Sequence, residues 1–295
     1  MKVQKRVPYF IANRKYPSEV EEGRYMKLGF IGAGNMGGAI LKGCVESGKF
    51  ASRDIYVCDK DPERRKSWEE LLLINTTEDV AIVVDTCDII IVGIKPDGFS
   101  SLMPEISPKW KTNKILVSMA AGIPISFLEG FLPMGSKLIR IMPNTPAMVR
   151  QGMTAVSRNN NISSQDMEIS MEIFSSVGLA EEVAEDLIDC VIGVSGSSPA
   201  YTYLYIEALV EAAIANGMEK NMATKFAAQS VLGAAKMVLE TGVEPQQLCL
   251  NVCSPGGTTI EAVNKLKENG FKENVTEAFQ AAVDKSKLLS KQREG

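Results

Sequence analysis

From residue 27, short apolar runs at 27–31, 55–58, 88–94, 114–119 and 137–141 alternate with stretches whose apolar positions recur at helical spacing, at 35–47, 61–72 and 77–85. The runs at 88–94 and 114–119 are almost unbroken in apolar residues, as expected of strands buried on both faces of a parallel sheet. The alternation predicts an α/β fold, a Rossmann-type doubly wound sheet with helices on both faces. Segments 154–157 and 179–183 read as short edge strands around a helix at 163–176. Beyond about residue 189 the pattern is helical only. Ser198 is placed to cap a long helix, with Pro199 in its first turn and Gly217 past its end. Further helices are expected at 224–240, stopped by Gly242 and Pro245, from 255 onward, and at 274–290. Their alanine-rich apolar faces are broader than one small bundle would cover, which predicts packing against a second copy of the chain.

This pattern divides the chain into an extension at 1–25, a dinucleotide-binding domain at 26–188 and an all-helical domain at 189–295. The extension mixes Lys2, Lys5, Arg6, Arg14, Lys15 and Arg24 with Pro8 and Pro17, and shows no apolar period. Glu19, Glu21, Glu22 and the lack of an apolar centre argue against a targeting peptide. The expectation is a dispensable start, with Met26 the first functional residue.

Composition narrows the chemistry. A net charge of −4 over 295 residues leaves no electrostatic footprint for nucleic acid or an anionic membrane surface, and no apolar run is long enough to span a bilayer. The six cysteines are scattered without a C-x-x-C pair, which favours reduced thiols and a cytoplasmic protein. There is no histidine at all. That removes Ser-His-Asp and Cys-His catalysis, histidine-containing zinc sites and any dehydrogenase with an imidazole proton shuttle.

Two glycine clusters carry the chemistry. Gly32-Ala33-Gly34-Asn35-Met36-Gly37 follows a predicted strand and opens a predicted helix, the context in which G-x-G-x-x-G binds a dinucleotide. Gly32 permits a tight turn, Gly34 lets a pyrophosphate reach the backbone, Gly37 lets helix and strand pack closely, and the helix N-terminus favours the phosphate charge. About twenty residues on, Asp59 stands where an acidic residue binds the ribose hydroxyls of NAD. Lys60, Arg64 and Arg65 follow at once and suit the extra phosphate of NADP, so these residues leave the choice open. The second cluster is Ser254-Pro255-Gly256-Gly257-Thr258-Thr259-Ile260. Adjacent glycines allow close backbone approach, and the first amides of the following helix are unpaired donors that suit a small carboxylate.

Between the clusters lie Met142-Pro143-Asn144-Thr145-Pro146-Ala147, a rigid loop after the last core strand, and Ser195-Gly196-Ser197-Ser198-Pro199-Ala200-Tyr201, which leads into the first long helix. Gly233-Ala234-Ala235-Lys236-Met237 reads as a tight contact within the second. The order and wording of all five segments strongly resemble the pyrroline-5-carboxylate reductases, over residues 26–289. The resemblance implies a Rossmann domain followed by a helical dimerisation domain, with the helices of two subunits interlocked and larger rings of dimers common. It implies an active site between the nucleotide domain of one subunit and the helices of its partner. There Ser254, Gly257, Thr258 and Thr259 would hold the substrate carboxylate, and Thr259 would lie near the ring nitrogen. Lys95-Pro96 and Ala120-Ala121-Gly122 match cofactor-side loops. The expected cofactor is NADPH, with NADH the alternative. Three departures stand out: Ser198 where many relatives have glycine, Cys249-Leu250 where they have lysine-aspartate, and Glu78-Asp79-Val80 where an asparagine often lies near the ribose.

The expected reaction fits a chain without histidine. A protonated imine already accepts hydride well, so the protein need only align the ring, exclude water and relay a proton through Thr259. The nearest rival, a β-hydroxyacid dehydrogenase, needs a lysine in the first interdomain helix, and residues 191–216 contain none. A second rival is a non-catalytic NAD(P)-binding sensor, against which the intact 254–259 segment argues.

Overall fold

The computed structural model describes residues 26–294; the expectation for residues 1–25 lies outside them. Eight strands form one sheet: β1 Leu28–Ile31, β2 Ile55–Cys58, β3 Asn75–Thr77, β4 Ile89–Val92, β5 Ile115–Ser118, β6 Lys137–Met142, β7 Gly152–Arg158 and β8 Gly178–Glu182. Their order is β3-β2-β1-β4-β5-β6-β7-β8. Pairing is parallel from β3 through to β6, antiparallel at β6–β7 and parallel again at β7–β8. The strand order reverses between β1 and β4, the crevice where doubly wound sheets bind dinucleotides.

Around the sheet lie α1 Asn35–Glu46, α2 Pro62–Leu72, α3 Val80–Thr86, α4 Phe99–Ile106, α5 Ile125–Glu129 and α6 Ser164–Phe174. Successive strand residues alternate between two cores. Ile89 and Ile91 pack with Ile40 and Leu41 of α1 and with Ile173 and Phe174 of α6. Ile90 and Val92 pack with Val83 of α3, Phe99 and Met103 of α4 and Leu128 of α5. Burying each such side chain contributes about 1.5–3 kcal/mol, which explains why a four-residue strand as plain as Ile-Ile-Ile-Val holds the centre of the sheet. Cys44 and Cys87 are fully enclosed in these cores, and burial pushes both thiols up to about 12.

The rest is helical: α7 Ile188–Val191, a π turn at Ile192–Gly196, α8 Ser198–Ala215, α9 Lys220–Thr241, α10 Pro245–Val252, α11 Thr258–Glu268 and α12 Phe271–Glu294. The architecture is the expected one, and several local readings change. Residues 75–77 form a strand, so the helix expected from 77 starts at Val80, where the Asp79 carboxylate accepts the Ala81 N–H. Helices α4 and α5 were not foreseen; α4 is short and contains Pro104. Ser198 does not cap α8. Its neighbour Ser197 is already helical because the π turn runs straight into the helix, and no side chain caps it. Gly242 does end α9, in the left-handed conformation at φ 64°. Pro245 opens α10 rather than only stopping what precedes it, since a missing N–H costs nothing in a first turn.

Candidate active site

The nucleotide end is built by β1, the turn after it and α1. Gly32 takes φ +85°, which favours glycine, and its N–H donates to the Cys58 carbonyl at 2.7 Å. A Cβ on Gly37 would lie 2.6 Å from the Gly32 carbonyl oxygen, so only glycine lets α1 start this close to the strand. Gly34 faces open space, and α1 has no acidic residue in its first turn and no side-chain cap. With the Ala33 amide taken by Asp59, Gly34 and Asn35 present a helix N-terminus that has no acidic residue in its own first turn, at the mouth of a cleft of about 570 Å³ lined in part by Asp61 and Glu63. Lys42, Trp68 and Met148 also line it. The sequence pattern did not single these three out. Trp68 donates its indole N–H to the Ala33 carbonyl at 3.2 Å and covers Gly38, where a Cβ would meet the ring at 2.5 Å. Met36, beside Gly37, packs against the core from a partly buried position.

Asp59, 7% exposed, is committed within the protein. Its carboxylate accepts the Ala33 amide at 3.0 Å, the Asp61 amide at 3.0 Å and the Arg64 guanidinium at 3.0 Å. Burial alone would raise its pKa; the Asp61 and Ala33 amides and Arg64 more than offset that and hold the carboxyl below its usual range. Arg64 also pairs with Asp61 at 3.4 Å and remains 43% exposed along the cleft. Arg65 donates to the Asp59 carbonyl at 2.7 Å and pairs with Glu78 at 3.4 Å, while Lys60 is exposed.

The remaining candidates on the cofactor side follow the C-terminal ends of parallel strands, the same edge as the glycine turn. Lys95 is exposed and precedes a short turn at Pro96–Gly98. Ala121 is exposed, and Gly122 takes φ +74° with Leu289 of α12 only 3.4 Å from where its Cβ would stand. Arg140, central in β6, and Glu185, just before α7, were also missed. The Glu185 carboxylate accepts the Ile125 amide at 2.8 Å and the Arg140 guanidinium at 3.0 Å, tying the 120–125 loop to the start of the helical half. An arginine inside an apolar strand was the available signal.

The second cluster is equally well formed and does not line that cleft. Gly256 takes φ +69°, the Gly257 N–H donates to the Ser254 carbonyl at 3.0 Å, and Gly257 is the N-cap of α11. No side chain caps that helix, so the amides of Thr258, Thr259 and Ile260 are open donors at its positive end. Ser254 and Thr258 are exposed and Thr259 is half-buried. Partial desolvation and the neighbouring Cys249 hold the Cys253 thiol above its ordinary range, so it is no activated nucleophile. A Cβ at Gly233, read as a tight helix contact, would meet nothing within 4 Å in the single chain. The same helix, α9, exposes Phe226 (67%) and Leu239 (71%).

A doubly wound sheet with an open glycine turn at its switch point, joined to helices with uncovered apolar faces, defines an NAD(P)-dependent oxidoreductase that assembles through its helical half. Residues 185–289 match the pyrroline-5-carboxylate reductase dimerisation family, and residues 27–122 match the family of coenzyme F420-dependent NADP oxidoreductases. Pyrroline-5-carboxylate reductase of Escherichia coli (strain K12) is 45% identical over 265 residues, covering 90% of this chain and 98% of that protein. Among solved structures, a pyrroline-5-carboxylate reductase from Coxiella burnetii superposes with TM-score 0.86 at 33% identity, covering 90% of this chain and 99% of the other. The Plasmodium falciparum pyrroline carboxylate reductase with NADP bound does so with TM-score 0.81 at 32% identity, covering 90% and 98%. The chain belongs to the pyrroline-5-carboxylate reductase family.

Proposed function

We propose that the protein reduces Δ1-pyrroline-5-carboxylate to L-proline, the last step of proline biosynthesis, with NADPH as its preferred reductant. The family assignment supports the reaction, and the observation that ties it to this chain is the uncapped start of α11 within the 254–259 segment. When bound, the reduced nicotinamide supplies a hydride to the C=N carbon of the ring. The Ser254 hydroxyl, the Gly257 and Thr258 amides and the Thr259 hydroxyl hold the substrate carboxylate, an anion at a helix N-terminus. The Thr259 hydroxyl also hydrogen-bonds the ring nitrogen and relays its proton. A hydroxyl is too weak an acid to be the ultimate source, so the proton arrives on the iminium or from solvent.

On the cofactor side, the glycine turn from Gly32 to Gly37 takes the pyrophosphate. Lys95-Pro96 and Ala121-Gly122 border the nicotinamide half. The NADPH preference rests on Asp59 being occupied by two amides and Arg64, which leaves it poorly placed for a ribose hydroxyl. Arg64 is half-exposed along the cleft, and in turning to a phosphate it exchanges its pairs with Asp59 at 3.0 Å and Asp61 at 3.4 Å for the new anion. The exposed apolar faces of α8 and α9 support a homodimer, with rings of dimers as the larger assembly, and light scattering measures the number. No helix among the described residues is long and apolar enough to cross a membrane, and the cytoplasm is the proposed location.

The reading is tested by following nicotinamide absorbance with Δ1-pyrroline-5-carboxylate, NADPH and NADH in parallel. Rapid oxidation, faster with NADPH, is expected; a folded protein that binds the dinucleotide yet oxidises neither would leave the sensor reading. Thr259→Val is expected to lower kcat at least tenfold, and an unchanged kcat and KM would remove the threonine from the mechanism.

A further inference from the structure

The joint between the two halves contains a defect in its hydrogen bonding that one side chain repairs. In a continuous α-helix the Ser195 carbonyl would accept the amide four residues on, but that residue is Pro199, which has no N–H. The Ala200 amide is used by the Ser197 carbonyl at 3.0 Å, and the Ser197 amide reaches back to Ile192 at 2.8 Å, the longer step of the π turn. Asn144, in the loop after β6, donates its Nδ2 to the Ser195 carbonyl at 3.1 Å. Its Oδ1 accepts the Met153 amide at 2.8 Å, which fixes the same side chain to the start of β7. Within the same turn, Phe279 of α12 closes on Gly193, where a Cβ would lie 2.6 Å from the ring.

We infer that Asn144 is a positioning residue for the reductase reaction, holding the π turn at Ile192–Gly196 in register and so fixing the direction in which the helical half carries the 254–259 segment to the active site it shares with the partner subunit. The inference rests on the reductase reading. α8 leaves directly from this turn, and a slip of one residue there would rotate the helix by about 100° and shift it by about 1.5 Å. Such a slip is amplified along α8 and displaces the 254–259 segment, which lies far from Asn144 in the chain. Single wide turns of this type recur at functional sites. Here Pro199 removes the regular partner, and Asn144 supplies one that only the sheet can offer.

Asn144→Asp separates this role from simple loop support. It keeps an acceptor for the Met153 amide and sets an acceptor against the Ser195 carbonyl. The expected result is a thirtyfold or greater loss in kcat, with the NADPH Kd within threefold of wild type and the dimer retained, together with faster amide exchange across residues 192–203. Asn144→Ala, which removes both bonds, is expected to exchange faster over that segment and also around Met153. Unchanged exchange across 192–203 in both variants would overturn the inference whatever the activity. So would a kcat loss matched by an equal loss of NADPH affinity, the mark of general destabilisation. A wild-type protein that failed to reduce the imine would sink the reductase reading instead, and the exchange measurement would still decide what Asn144 holds.

Discussion

The two glycine-rich segments sit in opposite surroundings. Around the first, space is used up everywhere but at Gly34, which faces the cleft: the oxygen of Gly32 bars a side chain at Gly37, Trp68 bars one at Gly38, and the strand beneath is completely buried. Around the second, Gly256 faces nothing within 4 Å and Gly257 only its own Ser254. The sheet half finishes its site with its own residues, whereas the helical half shapes a loop that its own chain leaves uncovered. The same contrast runs through the cores, closed on both faces of the sheet but reduced in the helices to a small cluster around Val210, Ala223 and Ala227. Uncovered apolar faces of this extent mark an interface, in keeping with the dimerisation family that matches the region.

The contrast breaks most visibly at Gly37. Gly37→Ala is expected to weaken dinucleotide binding at least a hundredfold, about 2.8 kcal/mol, because its Cβ meets backbone rather than a side chain that could move. Calorimetry with NADPH measures it, and wild-type affinity would mean that the turn is looser than its packing. In the helical half, Phe226→Glu is expected to turn the dimer into a monomer by light scattering and to remove most turnover, while NADPH affinity stays within threefold. A monomer with full activity would show that each chain completes its own site. A smaller effect is expected at Arg64. Arg64→Ala should lower the ratio of kcat/KM for NADPH over NADH about tenfold, or about 1.4 kcal/mol; an unchanged ratio would place the 2′-phosphate elsewhere.

The smallest expected effect concerns pH. Asp59 is held below the usual carboxylate range, so its contribution to stability is present above about pH 4 and is lost as pH falls through its lower folded value. Between pH 6 and 9 it stays ionised, and NADPH affinity in that window should vary less than twofold through this group. A transition near pH 7 in a protein without histidine would require another group, and the buried thiols of Cys44 and Cys87 at about 12 are excluded from that role.

The fold was largely legible because its signals are local. An apolar run buried on both faces reads the same in sequence as in the sheet, and a glycine fingerprint between strand and helix carries its own context. What escaped notice depends on distant partners. Residues 75–77 become a strand only because β2 offers its edge, and α4 needs Phe99, Met103 and Ile106 against the sheet to outweigh its short length and its proline. Glu185, Trp68 and Met148 carry no motif and matter only through what they touch. At Asp59 and Arg64 two opposed sequence readings met as one ion pair, which neither residue alone could announce.

The chain's pattern by itself determined the doubly wound sheet, the dinucleotide turn, the anion-ready start of α11 and the absence of imidazole chemistry, because each depends on residues close together in sequence. The tertiary structure alone decided that Asp59 is occupied, that Asn144 completes the turn opened by Pro199, and that the second glycine cluster stands exposed within one chain. Those facts are pairings between distant residues, and a hydrogen bond or a filled volume exists only once folding has brought both partners to the same place.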